Sequence, residues 1–512
     1  MPPQLAGPTL VAPTPPPAIS GGTLLATRDG KLVVASDPDR DLLYVVSVAE
    51  RSVKRVLSLG AGEEPGRLVE DSAGRVHVVL RGAGSIATFK PADMAESMRT
   101  RRSVCDLPRG IAYDAKRDQL HVACADGKLV SLAADPSGEV ERSVDLGRDL
   151  RDVVVHDGTV FVTRFRSAEL LELDADGEVV ERSLPPVAKR VIDTPMFDGV
   201  PPSELPNGPN VCTVKQPAGA PALVRQMLTA SPAVAWRAVE APSGVLMLHQ
   251  QEDDNEIGVM PGGYGSNAVG CGRAIVRSAV SMLSPGQDTR SGTLARASLA
   301  VDLAFSPDGD TIAVAAPGGW ASAGVQVMLL SSSQLRSEDA KSAFDGQCAD
   351  DSSTVVTGVN DQATAVAFPS ERMLAVQTRE PASVSFVDTR TGVVLNRVDL
   401  GQTSRFDTGH TIFHFTTFAG LACASCHAEG GDDGHVWNFA GAGPRRTQSL
   451  RGGILGSEPF HWSGDMADLN TLVREVFVDR MGGVPQSDTR VGALAAWMFA
   501  LQAPPPPRSA ND

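Results

Sequence analysis

The sequence predicts a mainly β chain with a small α domain at its end: a seven-bladed β-propeller followed by a compact helical module. Three observations carry this. Strand-like segments recur with a period of about 40–45 residues through four-fifths of the chain. That rhythm stops near residue 402. The remaining stretch reads as helices around the string Cys423-Ala-Ser-Cys426-His427.

In chain order, residues 1–20 are Pro-rich and lack the charged and apolar regions of a signal peptide. They read as a semi-rigid linker. The repeats then begin. Each has an apolar strand, a Gly- or Asp-bearing turn and a second apolar strand, as in "EPGRLVEDSAGRVHVVL", "LPRGIAYDAKRDQLHVAC" and "DLRDVVVHDGTVFVTR". Third and fourth strands such as "KLVSLAA" and "GEVERSVDLG" follow. Short antiparallel strands at this spacing are the mark of propeller blades. The first blade spans residues 21–60, and three regular ones reach about residue 186. The fifth is long, residues 187–285, with an insertion; the sixth starts at residue 301 and the seventh spans 364–401. "FSPDGDTIAVA" and "VSFVDTRTGVVLNRVDLG" resemble the YVTN-type and lactonase-like bacterial propellers. That resemblance implies architecture and leaves function open.

A chain of 512 residues suits more than one domain, and 42% hydrophobic residues supply a core. A net charge of −15 gives no basic excess for a nucleic-acid partner. No apolar run approaches the roughly 20 residues of a transmembrane helix. Of seven cysteines, Cys105 and Cys124 fall on consecutive strands and suit a disulfide. Cys212 and Cys271 flank the insertion as a second candidate pair, leaving Cys348 over; buried free thiols are the alternative. His77 and His121 occupy equivalent repeat positions, which suits a structural role; a copper-type ring on the axis is the alternative. His249 leads the acidic run "QQEDDNE", which reads as a solvated loop.

The last fifth carries the chemistry. Two thiols one helical turn apart, followed at once by a histidine, are what covalent attachment of haem c requires. Cys423 and Cys426 would form the thioethers and His427 would ligate the iron. A zinc site would need a second Cys/His pair, and none follows. The candidate sixth ligands are Met466, Met481, Met498, His435 and His461. Met481 fits best: it lies in the loop "VDRMGGVP", just before a helix "SDTRVGALAAWMFALQ" with Ser487 or Asp488 as its N-cap. Met466 is the alternative, and Met498 falls inside the helix. Arg446 and Arg451 suit haem propionates as bidentate partners. The expected module is a class I-like mono-haem cytochrome c domain over residues 402–503, with a Pro-rich tail at 504–512.

"GHTIFHFTTFAGLACASCHAEGGDDGHVW", "GPRRTQSLRGGI" and "PFHWSGDMADLNTLVREV" resemble, in that order, the C-terminal haem domain of bacterial dihaem cytochrome c peroxidases. The related enzyme that matures methylamine dehydrogenase shares the block. The resemblance covers about residues 409–501 and implies a c-type haem with His461 and Trp462 near it. Gln448 replaces the family's proline, and Trp462-Ser463 stand where the family has Asp. A second C-x-x-C-H domain, which those enzymes pair with this one, is missing from the sequence.

The expected function is electron transfer by one covalent haem c, exchanging with a redox partner protein or a small donor or acceptor. One alternative is a peroxidase- or oxidase-type haem enzyme with His461 as the candidate catalytic group. The other is a propeller-borne oxidoreductase using the haem as electron outlet. Haem attachment of this kind belongs outside the cytoplasm. The expected location is therefore periplasmic, or tethered to the outer membrane or cell surface, with export signal and lipid anchor outside the given sequence.

Overall fold

Seven antiparallel sheets follow one another along the chain in the computed structural model, six of four strands and one of six. They are the seven blades of a β-propeller. The structure describes residues 7–93, 100–195, 223–265, 271, 274–284, 286, 288–319, 325–337, 348–359, 361–401, 403–454 and 456–503.

Blade packing explains the sequence pattern. A middle strand is covered on both faces by the neighbouring blades, so Val76–Leu80 and Ser85–Phe89 are buried throughout. The outermost strand has lost that cover, and Val140–Asp145 alternates between exposed and half-buried. Turns are set by aspartates: the Asp71 carboxylate accepts from the N–H groups of Ala73 and Arg75, both at 2.9 Å, and Gly74 takes φ +72°. Polar pairs join the first blade to the last. Thr23 Oγ1 donates to Gln377 Oε1 at 2.8 Å, and Arg379 meets Asp39 at 2.8 Å.

Two details differ from the sequence reading. Arg336–Ser337 adds to the outer edge of the fifth blade before the chain returns to the sixth through Thr354–Val355. Cys105 does pair with Cys124, but Cys271 pairs with Cys348 rather than Cys212, their Cα atoms 5.1 Å apart. The edge-strand crossover carries the chain back past the fifth blade and brings Cys348 there, so Cys348 is not left over. Cys212 and most of the insertion lie outside the described residues.

The C-terminal module packs against the fifth and sixth blades in one continuous core that includes Trp236, Val301, Phe413, Phe477 and Trp497. Helix Thr408–His414 crosses helix Asp488–Phe499. Gly409 is required there, because a Cβ would stand 2.3 Å from the Ala493 carbonyl oxygen. Ser487 caps the second helix, although its side chain makes no capping bond.

The Pro-rich arm is not a tether where it is described. Leu10 N donates to Thr408 Oγ1, and Ala12 N to Asp407 Oδ2, both at 2.9 Å; Trp497 Nε1 donates to the Pro16 carbonyl at 2.9 Å. Ala12 and Ile19 are buried. Prolines suit this extended path because they offer no N–H that would need a partner.

Candidate functional site

A cavity of about 370 Å³ opens in the C-terminal module, and Cys423, Cys426, His427 and Met481 all line it. The rest of its wall is mostly apolar and aromatic, with Phe413, Trp437, Phe439, Phe460, Trp462 and Leu494 among it. Cys423–Cys426 forms one helical turn, capped by the Ser425 hydroxyl accepting from Ala422 N at 3.0 Å. His427 Nδ1 donates to the Gly431 carbonyl at 3.3 Å. That fixes the tautomer and leaves Nε2 with the free lone pair. Burial pushes the His427 imidazole down, so it stays neutral.

Met481 lines the same cavity, and its carbonyl accepts from Ala419 N at 3.1 Å, just before the cysteine turn. Helix Leu469–Leu472 runs on as a π-helix, Val473–Arg480, and Met481 N closes it on the Val476 carbonyl at 2.9 Å. The wider turn shifts the side chain register at its end. Met498 also lines the cavity, from helix Asp488–Phe499. Met466 is buried but outside the lining, its backbone paired with Phe460. His435 is also outside it, 3.1 Å from Glu252 and edge-on to Trp437.

His461 and Trp462 are in the cavity wall. His461 takes φ +73°; its Nδ1 lies 2.9 Å from Asp465 and its Nε2 3.3 Å from the Arg480 guanidinium. Trp462 stacks on Phe439 with centroids 4.4 Å apart. Arg446 and Arg451 do not line the cavity. Arg446 is largely exposed and reaches Asp432 at 3.5 Å, and Arg451 Nε donates to the Gln502 carbonyl at 3.0 Å.

The residues fit a covalently held haem. Cys423 and Cys426 are the free cysteines of the described chain, all others there being in disulfides. Burial pushes the Cys423 thiol up to about 12 and Cys426 well above its usual range. Burial favours the neutral thiol in both.

The loop just after His427 plugs one end of the propeller axis. Glu429, at φ +52°, puts its carboxylate 2.5 Å from Arg151, 3.6 Å from Arg81 and 3.8 Å from Arg109. Burial alone would raise its pKa, but these arginines hold it well below the usual carboxylate range. Arg109 and Arg151 sit on the inner strands Pro108–Asp114 and Leu150–His156 of the third and fourth blades. Arg81 follows the second strand of the second blade. The sequence reading missed this cluster. A signal was there: Arg109 and Arg151 fall at one position of two successive repeats, directly after Pro108 and Leu150, and Arg67 lies one place further along in the repeat before.

The propeller histidines have other work. His77 bridges Asp71 at 3.0 Å and Thr88 at 2.8 Å, and His121 meets Ser131 at 2.8 Å, each inside its own blade. No histidine ring lines the axis among the described residues. His249 is buried in strand Gly244–Asp253, bonded to Ser281 at 2.9 Å. The acidic run beside it is not a solvated loop at its start. Glu252 and Asp253 are buried because residues 433–439 cover them, with Ile257 N donating to the Asn438 carbonyl at 2.8 Å. Burial pushes Glu252 well above the usual carboxylate range, and Asp433 up to about 6.

No family model and no curated protein matches the chain. Among solved structures it is similar to a hydrazine synthase chain from Kuenenia stuttgartiensis, at 13% identity and TM-score 0.51, covering 76% of this chain and 99% of that one. A virginiamycin B lyase from Staphylococcus aureus matches at 9% identity and TM-score 0.43, covering 72% and 94%. A β-propeller domain from Myceliophteria thermophila matches at 10% identity and TM-score 0.41, covering 75% and 98%. At such identities the likeness to the first shows the propeller fold and nothing about activity.

Proposed function

We propose that this chain is an exported mono-haem c-type cytochrome built onto a β-propeller, and that it carries electrons to or from a redox partner. The observation that carries the reading is the convergence of Cys423, Cys426, His427 and Met481 on one apolar cavity. A haem c bound there would supply one-electron exchange. Cys423 and Cys426 would hold the group covalently. His427 would give Nε2 to the iron while Gly431 holds Nδ1. Met481 would supply the second protein ligand, and Trp437, Phe439 and Trp462 would exclude water. The propeller holds the His427 loop through Glu429 and its arginines. Two disulfides support an oxidising compartment, and no helix of the described residues is long and apolar enough to cross a membrane.

The peroxidase-type reading keeps one supporting observation: His461, backed by Asp465, lines the same cavity. The test expresses the chain in an exporting host with haem c maturation. Covalent haem should survive denaturing electrophoresis, and Cys423→Ala with Cys426→Ala should lose it. A low-spin spectrum without peroxide turnover supports the carrier; a high-spin spectrum with turnover supports the peroxidase. Absence of covalent haem in the matured wild-type chain overturns both.

A further inference from the structure

The propeller axis holds a second, smaller cavity of about 40 Å³, behind the Glu429 plug and under residues 17–21 of the N-terminal arm. Its wall carries the charged side chains Arg67, Arg81, Arg109, Arg379, Asp37 and Asp39. All four arginines are buried, between 3% and 8% exposed.

The charges do not balance locally. Arg67 has Asp152 at 2.9 Å, Arg109 has Asp149 at 3.1 Å and Arg379 has Asp39 at 2.8 Å. Asp37 is taken by Arg40 at 3.1 Å. Arg81 is different. Among the described residues its guanidinium makes no hydrogen bond, and its Nε is closed to solvent without a partner. The carboxylate it approaches, Glu429 at 3.6 Å, is already gripped by Arg151 and shared with Arg109. Arg451 adds a further positive field at the same carboxylate. A buried cation without a bonded counter-charge is costly, and it is kept where something else neutralises it. Arg109 Nε is likewise closed to solvent and unpartnered.

We propose that this cavity is a binding site for a halide-sized monovalent anion, held by Arg81 and Arg109 with Arg67 behind them. The space suits such an ion. By the measure that gives one water roughly 10–15 Å³, it takes about three waters, or one small anion with one or two waters beside it. Asp37 and Asp39 on the wall keep larger, more highly charged anions out. The bound ion would cancel the charge that Glu429 leaves over, and so complete the joint between propeller and C-terminal module. The site depends on the propeller and the plug, and stands whether or not the neighbouring cavity carries haem.

Diffraction at the bromine edge tests it on the full matured chain crystallised from bromide. An anomalous peak within hydrogen-bond distance of Arg81 and Arg109 is expected; density there with no anomalous signal, as water gives, overturns the proposal. In solution, bromide replacing gluconate at fixed ionic strength should raise the unfolding midpoint. In Arg81→Gln the bromide needed for the same rise should increase about tenfold or more. An equal rise in wild type and variant overturns the proposal, and the wild-type diffraction result stands even if the variant folds poorly.

Discussion

Glu429 Oε1 lies 2.5 Å from Arg151 Nη1, with both side chains closed to solvent, and this contact ties the loop after His427 to the inner strand of the fourth blade. Glu429→Gln leaves Arg81, Arg109 and Arg151 facing a neutral amide. Removing one partner of a buried pair costs about 3–5 kcal/mol. Chemical denaturation should show that loss, and replacing both partners, Glu429→Leu with Arg151→Met, should recover part of it. A loss below about 1 kcal/mol in the single variant would mean that water reaches the pair.

In the proposed haem site Met481 would be the second protein ligand beside His427. Met481→Ala should abolish the weak far-red band of methionine-ligated haem c and lower the midpoint potential, while covalent attachment is kept. Met466→Ala should leave the band unchanged, because Met466 lies outside the cavity lining. Retention of the band in Met481→Ala with loss in Met498→Ala would move the assignment to Met498, the other methionine on the wall.

The buried blade histidines set a pH dependence. Burial pushes His121 from 6.5 down to about 4. Below pH 6.5 the unfolded chain binds a proton there and the folded chain does not, so stability is full above 6.5 and falls as the pH drops toward 4. The slope from one such group is about 1.4 kcal/mol per pH unit. Asp39 and Asp302, pushed up to about 6 by burial, act oppositely in the lower part of that window. Subtracting the stability profile of His121→Gln from that of wild type cancels them. A flat difference from pH 7 to 4 would refute the assignment.

Gly409 sets how closely the two helices of the C-terminal module approach. Gly409→Ala places a Cβ 2.3 Å from the Ala493 carbonyl oxygen and 2.8 Å from Trp497 Cβ. Overpacking of this kind costs about 1–3 kcal/mol. Thermal unfolding should register it, with a change in Trp497 fluorescence, whereas Gly492→Ala, open to solvent on the second helix, should not destabilise.

Local features were legible in the sequence and long-range ones were not. The seven blades came from a repeat that all but the fifth and sixth follow closely, because each blade meets the same kind of neighbour. The cysteine string and the Met481 loop stood out because each is a short, local sequence pattern. Their convergence on one cavity could not. Nor could the burial of Glu252, which depends on a cover, residues 433–439, far along the chain. Arg446 and Arg451 illustrate the same limit: a motif gives the residue type, and only packing decides which cavity it faces. The Cys271–Cys348 pair was missed because it depends on an edge-strand crossover between blades.

The buried path of the N-terminal arm has a consequence in time. Leu10, Ala12 and Pro16 meet partners 398, 395 and 481 positions away. Closing so large a loop adds little to the equilibrium cost, since that cost grows only logarithmically with length. It weighs on the order of events instead, because distant pairings form late. The arm can seat only after the terminal helix is in place and the ring of blades beneath residues 17–21 has closed. It is a latch whose engagement reports that both modules are complete. A protease that cleaves the arm would read out whether folding had finished.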